Sequence, residues 1–217
     1  MKAAPKLAEL SDSRTALLDA AELLFARQGF ATTTIKQIAA EAGVNSALLY
    51  YYFADKETLY RAMLARVVTT LAATISAAIG AEADPERLVR LFVRSQAEHL
   101  LGHPHLPRLL VRELIDHEAR HAWDLIPQLT ATSFARLREV IRSGQRSGRF
   151  RADVDPVFAA IHTVALVAYA AIARPAVARM LDLDRADVPP EVMREYADHA
   201  AEFALAAMRA GGTEDRT

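Results

Sequence analysis

Residues 117–121 read HEARH, which has the residue types and the spacing of a zinc-protease signature. On an α-helix, His117 and His121 would lie one turn apart on the same face, where both imidazoles could bind Zn²⁺. Glu118 would lie beside them and could act as the general base on a metal-bound water molecule. The segment therefore raises the hypothesis of a zinc-dependent hydrolase.

The residues around this segment do not favour that chemistry. Arg120 separates the two proposed ligands, and Asp116 and Asp124 flank them. A catalytic zinc site also needs a third protein ligand and a shielded cavity, and the sequence indicates no third ligand. We therefore interpret HEARH as a coincidental match on a surface or pocket-edge helical turn, and we predict no catalytic residue, no metal-binding residue and no cofactor. The zinc hydrolase is kept as the alternative function.

The composition is that of a globular protein in a reducing compartment. The 217 residues are 52% hydrophobic, carry a formal net charge of −1 and include no cysteine. The absence of cysteine excludes a disulfide framework, a zinc ribbon and a thiol nucleophile. The first residues contain acidic side chains and no apolar core segment, which is not the pattern of a secretory signal. We expect a cytoplasmic protein.

Apolar residues recur at helical spacing along the chain, and no segment shows a convincing strand pattern. Gly29 is expected to end the first helix, and Asp55 to cap a long helix that ends near Gly80. Asp84 and Asp155 each precede a proline and are expected to cap helices that begin with it. Further helices are expected at about 34–42, 46–53, 85–102, 104–122, 126–147, 155–181 and 190–210. The sequence therefore predicts an all-α fold.

Residues 157–173 carry no charged side chain. A helix of this length is marginal for spanning a bilayer, and a helix that is apolar all round is either a membrane span or is buried by protein. An Asp-Pro pair precedes this segment and an Arg-Pro pair follows it closely. We predict that protein buries it and that the chain has no membrane partner.

Residues 29–59 have the spacing of a helix-turn-helix. Two short helices meet at Gly43, which can adopt the left-handed conformation that a sharp turn requires. Ile38, Val44 and Leu49 are placed to form a small core between the helices. In such a motif the first helix supports the second, which presents its N-terminal residues to a DNA groove.

The side chains presented by the second of these helices suit DNA. Asn45 and Ser46 begin it, where backbone N–H groups and short polar side chains can contact phosphates and bases. The three consecutive tyrosines at positions 50–52 cannot all be buried on one side of a helix, so at least one hydroxyl must face outward, where it could contact a phosphate. Lys56 follows within reach of the DNA backbone.

This stretch resembles the tetracycline-repressor (TetR) family of bacterial transcriptional regulators over about residues 11 to 65. The matching residues are Gly29-Phe30, Thr32 to Thr34, Ile38-Ala39, Ala42-Gly43-Val44, Leu49-Tyr50, Phe53 and Asp55-Lys56-Glu57. Ala47 departs from the pattern, because many members have glycine there, but it still permits close approach to a base. The resemblance implies a helix-turn-helix DNA-binding domain at residues 11–56 and a helical effector-binding and dimerisation domain at residues 57–210.

The resemblance also implies which residues contact double-stranded operator DNA. Thr34 would cap the second helix and touch a phosphate, and Lys36 would reach the edge of the groove. Base and phosphate contacts would come from one run of side chains, namely Asn45, Ser46, Ala47, Leu48, Tyr50, Tyr51, Tyr52 and Lys56. The resulting prediction is a repressor that binds a palindromic operator as a homodimer. A helical interaction module without an operator is a weaker alternative.

In this family the second domain binds a small-molecule effector and forms the dimer. A pocket for a small, largely apolar or aromatic effector is expected from apolar and polar side chains on the middle helices. Its candidates are Phe92, Gln96, His99, Leu100, His103, Arg112, Trp123, Phe134, His162 and Tyr169. Helices near the C-terminus would pair across the two-fold axis through Ala165, Ala168, Tyr169 and Ile172.

Overall fold

The computed structural model describes residues 7–80, 82–183 and 188–210, and these residues confirm the all-α fold. The helices are α1 (Leu7–Thr32), α2 (Ile35–Glu41), α3 (Ser46–Tyr52), α4 (Lys56–Ile79), α5 (Pro85–Gly102), α6 (Leu106–Asp116), α7 (Ile126–Ala131), α8 (Ser133–Arg146), α9 (Pro156–Ile172), α10 (Arg174–Met180) and α11 (Pro190–Met208). A short 3₁₀ helix, Trp123–Leu125, precedes α7. Within the described residues, extended pairing is limited to one isolated bridge between Phe150 and Arg209.

The chain divides into two compact units. The first unit contains Met1–Thr69 and His105–Ile126, and the second contains Thr70–Pro104 and Pro127–Thr217. The boundary at residue 56 that the sequence suggested stays a prediction. The structure groups α6, which lies far along the chain from the helix-turn-helix, with the first unit.

In the first unit, α1 packs against α2, α3 and α6. Gly29 interrupts α1 with a φ of 84°, a value that favours glycine. This confirms that the regular helix ends there. Most of the buried side chains are aliphatic, and an aromatic pair packs among them: Phe25 and Tyr60 are fully buried, and their ring centroids lie 4.9 Å apart in an edge-to-face arrangement.

In the second unit, α11 packs against α5 and α9, and α8 packs against the same two helices. Their shared core is built from apolar residues at helical spacing, among them Val89, Phe92, Ile141 and Leu205. Gly144 on α8 leaves room for the ring of Phe150, because a Cβ built at Gly144 would lie 2.1 Å from that ring. The segment after α8 therefore folds back onto the helix.

The predicted acidic caps are present at three helix starts. Asp55 accepts a hydrogen bond from the backbone N–H of Thr58, and this bond lowers the pKa of Asp55. Asp84 caps α5 and Asp155 caps α9 in the same way, each ahead of a proline in the first turn. Side-chain caps satisfy N–H groups that a helix leaves without partners, so these starts are defined locally.

Three predicted helices are divided in the structure. The helix expected over residues 126–147 is interrupted at Thr132, between α7 and α8. The helix expected over residues 104–122 ends at Asp116, and the residues after it leave the helical conformation. The helix expected over residues 155–181 breaks at Ala173, where α9 and α10 meet at an angle of 88°. Pro175 lies in the first turn of α10, and a proline at that place begins a helix more readily than it continues one.

By length and composition, α4 could cross a membrane, and so could α9 with α10 if the bent pair were one span. Core helices of globular proteins have the same properties. One side of α9 is buried in the second unit through Ala159, Ala160, Thr163, Val167, Ala170 and Ala171. This helix therefore has the environment of a core helix on that side.

Candidate nucleic-acid interface and effector site

The start of α2 is fixed by a reciprocal pair of hydrogen bonds. The backbone N–H of Gln37 donates to the Thr34 hydroxyl at 3.2 Å, and the Thr34 backbone N–H donates to the Gln37 side chain at 2.8 Å. This capping box satisfies two N–H groups at once. Thr34 therefore caps α2, as the resemblance implied, while its phosphate contact stays a prediction.

The turn between α2 and α3 is also fixed locally. Gly43 adopts a φ of 66°, and the backbone N–H of Val44 donates to the carbonyl of Ala39 at 2.9 Å. Asn45 then caps α3, because its side-chain oxygen accepts from the Ala47 N–H at 2.9 Å. Beneath the turn, Leu49 is fully buried in the core of the first unit. These contacts hold α3 in one orientation relative to α2.

The exposed surface of this motif carries six of the ten predicted DNA-contact residues, and Thr34 at the cap of α2 is one of them. Lys36, Asn45 and Ala47 are exposed, and so are two tyrosines: Tyr50 is 58% exposed and Tyr51 is 71% exposed. Ser46, Leu48 and Tyr52 are half-buried. Exposed aromatic hydroxyls and a lysine beside a helix N-terminus can bind phosphates and base edges.

Lys56 is bound within the fold. Its ammonium nitrogen lies 2.8 Å, 3.4 Å and 3.0 Å from the carbonyl oxygens of Phe30, Ala31 and Thr33. The same nitrogen lies 4.5 Å from the centre of the Phe30 ring. An ammonium group has three N–H donors, so these carbonyls can take all of them. The phosphate contact of Lys56 stays a prediction, whereas its role at the end of α1 is visible in the structure.

Comparison with known families decides the class of protein. Residues 17–63 match the family described as bacterial regulatory proteins, tetR family. Residues 85–203, more than half of the chain, match the family described as tetracyclin repressor-like, C-terminal domain. The chain belongs to the TetR family of bacterial regulators. It is a DNA-binding transcriptional regulator, and the hydrolase hypothesis is not supported.

Individual TetR-family proteins are similar over most of their length. The transcriptional repressor NicS of Pseudomonas putida is 27% identical over 199 residues, which are 91% of this chain and 92% of NicS. The repressor KstR2 of Rhodococcus jostii is 29% identical over 147 residues, which are 67% of this chain and 71% of KstR2. The structure of the fatty acid degradation regulator FadR of Bacillus halodurans has the same fold, with a TM-score of 0.72, 18% identity and full coverage of both chains.

Four of the predicted effector residues of this TetR-family regulator lie on one helix. Phe92, Gln96, His99 and Leu100 are all buried on α5. Gln96 donates from Nε2 to the carbonyl of Val164 at 3.2 Å, but its Oε1 is buried and has no hydrogen-bond partner among the described residues. A buried acceptor without a donor is costly, so it marks a place where a ligand could supply one.

His99 is the titratable group of this cluster. Burial lowers its pKa, and repulsion from His103 lowers it further. The two imidazole rings are stacked with their centroids 4.2 Å apart, and His103 itself is exposed. The structure therefore brings these two predicted residues together at the end of α5.

The other predicted effector residues are not part of that cluster. Phe134 is packed against the core of the second unit. Arg112 and Trp123 belong to the first unit, where Arg112 is 3.7 Å from Asp116 and Trp123 is largely exposed. His162 and Tyr169 line a groove of about 820 Å³ between α9 and α11. The structure thus does not gather the ten candidates into one cavity.

The groove is bordered by apolar side chains that the sequence analysis did not select. Phe158 on α9 is 63% exposed and Phe203 on α11 is 69% exposed. Ile161 also lies on the outward side of α9. The sequence could not select this face, because α9 is apolar all round and its periodicity does not show which side is covered.

HEARH does not form a helical zinc-protease site. His117 follows the last residue of α6, and Glu118 and Ala119 adopt left-handed conformations with φ values of 51° and 60°. The two histidines are therefore not one turn apart on a helix, and Glu118 is exposed. The side chain that joins the two histidines is Glu113, which the sequence analysis missed. Its place on α6, four residues before His117, was a signal that could have indicated it.

Proposed function

We propose that the protein is a cytoplasmic homodimeric repressor that binds palindromic operator DNA and is released by a small, largely apolar or aromatic effector. The observation that carries this proposal is the exposed surface of α2 and α3. There, local caps fix both helices while Lys36, Asn45, Ala47 and two tyrosines remain available to DNA. A recognition helix must be held rigidly and still expose its N-terminal side chains.

The proposed contacts divide into two kinds. Asn45 and Ala47 lie at the start of α3 and would read base edges in the major groove. Lys36, on α2, would reach the edge of the groove and contact a phosphate there. Tyr50 and Tyr51 lie further along the helix, and their hydroxyls would donate to phosphates. Lys56 would act indirectly in the free protein by holding the end of α1 in place.

The proposed dimer uses the outward side of α9. Phe158, Ile161, Ala165, Tyr169 and Ile172 are all exposed and follow one another at helical spacing. Exposed apolar residues that form a continuous stripe mark an interaction surface. Small alanines, including the predicted Ala168, would let two such helices approach closely. A second copy of α9 would cover this uncharged face without any membrane.

The proposed effector site surrounds Gln96. Phe92 and Leu100 lie on the same helix, so a ligand there would meet apolar side chains and one amide oxygen. The ligand would therefore be largely apolar and would carry a hydroxyl or another hydrogen-bond donor. Relatives described as a fatty acid degradation regulator and a ketosteroid transcriptional regulator are named for largely apolar compounds, which supports this class.

The test is footprinting on DNA that flanks the gene for this chain. A dimer should protect a near-palindrome whose half-sites lie about one helical turn apart or slightly more. Tyr50→Phe removes a phosphate donor, so it should lower affinity for specific and random DNA alike, by about three- to tenfold. Loss of specific binding alone would instead place Tyr50 on a base. Absence of any protected palindrome would contradict the proposed function.

A further inference from the structure

The turn after α6 brings three metal-binding side chains together. The backbone N–H of Ala119 donates to the carbonyl of Glu113 at 2.9 Å, and the two left-handed residues 118 and 119 reverse the chain. As a result, the chain turns back after α6, and His121 contacts Glu113 on that helix. One ligand atom each from Glu113, His117 and His121 lies within 4.8 Å of the other two.

This group is enclosed rather than displayed on the surface. Glu113 is 1% exposed and His121 is 2% exposed, while His117 is half-buried. The Phe30 ring centroid lies 5.6 Å from that of His117 and 5.2 Å from that of His121. Tyr60 lies 5.1 Å from His121 on the same measure. The rings of Phe30 and Tyr60 therefore pack against the two histidines. His117 is the one residue of the three that is partly exposed to solvent.

Hydrogen bonds orient the Glu113 carboxylate toward the His121 ring. Oε1 of Glu113 accepts from the backbone N–H groups of His121 and Ala122 at 2.8 Å and 3.2 Å. Oε2 faces Nδ1 of His121 at 3.1 Å. Nε2 of His121 is held by the Arg120 guanidinium at 3.3 Å. The carboxylate is thus oriented through one oxygen, and its other oxygen faces an imidazole nitrogen.

From this arrangement we propose that Glu113, His117 and His121 form a binding site for a divalent first-row transition metal ion such as Zn²⁺. Two imidazoles and one carboxylate are a common ligand set for this class of ion, and they leave one coordination position for water or a small anion. Backbone hydrogen bonds to the ligating carboxylate are the outer contacts that such sites use.

The ligand atoms need to move little. Adjacent ligand atoms in a tetrahedral zinc site are about 3.4 Å apart, as bond lengths near 2.1 Å require. Nδ1 of His121 and Oε2 of Glu113 are already 3.1 Å apart. When the ion binds Nδ1, the ring proton moves to Nε2, and the exposed Arg120 guanidinium, which can only donate, turns away from that nitrogen. The ring of His117 makes no hydrogen bond to the residues that the structure describes, so it can turn toward the ion. Bound metal would tie the turn after α6 to the aromatic residues of α1 and α4.

The experiment measures uptake of Zn²⁺ and Co²⁺ by the full-length protein after removal of metal with a chelator. We expect one ion per chain by calorimetry and visible Co²⁺ absorption bands of a four- or five-coordinate site. At free Zn²⁺ of about 100 times Kd, the melting temperature should rise by about 5–10 °C. His117→Ala should weaken binding at least tenfold, and Glu113→Gln should remove the Co²⁺ bands.

His117→Ala is the decisive variant, because His117 is half-buried, and its metal uptake is measured at a temperature where its metal-free protein is fully folded. His103→Ala is the matched control, since it disrupts the other pair of adjacent histidines and should leave uptake unchanged. The site is disproved if wild type takes up no ion, or if uptake survives His117→Ala and is lost in His103→Ala. If wild type took up no ion and Glu113→Gln melted at a lower temperature than wild type, the cluster would be a structural hydrogen-bond network.

Discussion

The ammonium nitrogen of Lys56 lies 2.8 Å from the carbonyl oxygen of Phe30 and 4.5 Å from the centre of its ring. A cation at the end of a helix stabilises carbonyls that have no partner in the helix. Lys56→Met keeps the apolar stem and removes the charge. We expect it to lower the free energy of unfolding by about 1–3 kcal/mol, as measured by urea denaturation. Lys36→Met, at an exposed position, is the control and should change it by less than about 0.5 kcal/mol.

The same two variants separate folding from DNA binding. Lys36→Met should weaken binding and reduce the salt slope by about one unit, because one phosphate contact is lost. Lys56→Met, measured where it is fully folded, should keep the wild-type slope. If Lys56→Met lost one unit of slope with unchanged stability, its ammonium group would be a phosphate contact, as the sequence predicted.

The outward side of α9 is the proposed dimer interface. Ala165→Arg would place an unpaired charge in the proposed interface, which costs several kcal/mol when it is buried. We expect light scattering to show monomer or aggregate and operator binding to be lost. Ala78→Arg, at an exposed position of α4, should remain dimeric. A tight dimer of Ala165→Arg would place the interface elsewhere.

Gln96 makes the effector site testable. Gln96→Leu replaces a buried acceptor without a donor by an apolar side chain, so the free protein should be as stable as wild type or up to about 1 kcal/mol more stable. Compounds that release wild type from its operator should bind this variant about tenfold more weakly in calorimetry. His162→Ala, at an exposed position on α9, should respond like wild type. If His162→Ala weakened effector binding and Gln96→Leu did not, the effector site would lie in the groove between α9 and α11.

The lowered pKa of His99 predicts a dependence of stability on pH. The unfolded chain takes up a proton at His99 near its ordinary pKa of about 6.5, whereas the folded protein resists it. The unfolded state is therefore favoured as the pH falls below about 6.5. His99→Gln should reduce the loss of unfolding free energy between about pH 8 and pH 5 relative to wild type. His199→Gln, at an exposed position, should lose as much unfolding free energy over this pH range as wild type. If His99→Gln also lost as much as wild type, His99 would not be the source of the pH dependence.

The elements predicted correctly are those defined by neighbouring residues. Capping by Thr34, Asp55, Asp84 and Asp155, and the turn at Gly43, depend on contacts within a few positions of the chain. Such contacts leave a readable pattern of residue types. The helix-turn-helix could be located for this reason.

The elements missed depend on distant contacts. Neither Glu118 nor Ala119 is a residue type that predicts a left-handed turn. The turn is held by hydrogen bonds from the backbone of His121 and Ala122 to the buried Glu113. Similarly, the spacing of residues on α5 and α9 could not show that Gln96 would be buried and Tyr169 exposed, since both lie on amphipathic or apolar helices. Packing, rather than local preference, decides these features.

The return of residues 105–126 to the first unit has a consequence for synthesis on the ribosome. The rings of Phe30 and Tyr60 acquire their histidine neighbours when residues 117 and 121 have emerged, well after the helix-turn-helix itself has been made. Until then the nascent chain presents apolar aromatic surface that a chaperone can recognise. A fragment that stops at Thr69 would keep that surface permanently, so the shortest autonomous DNA-binding fragment should extend to Ile126.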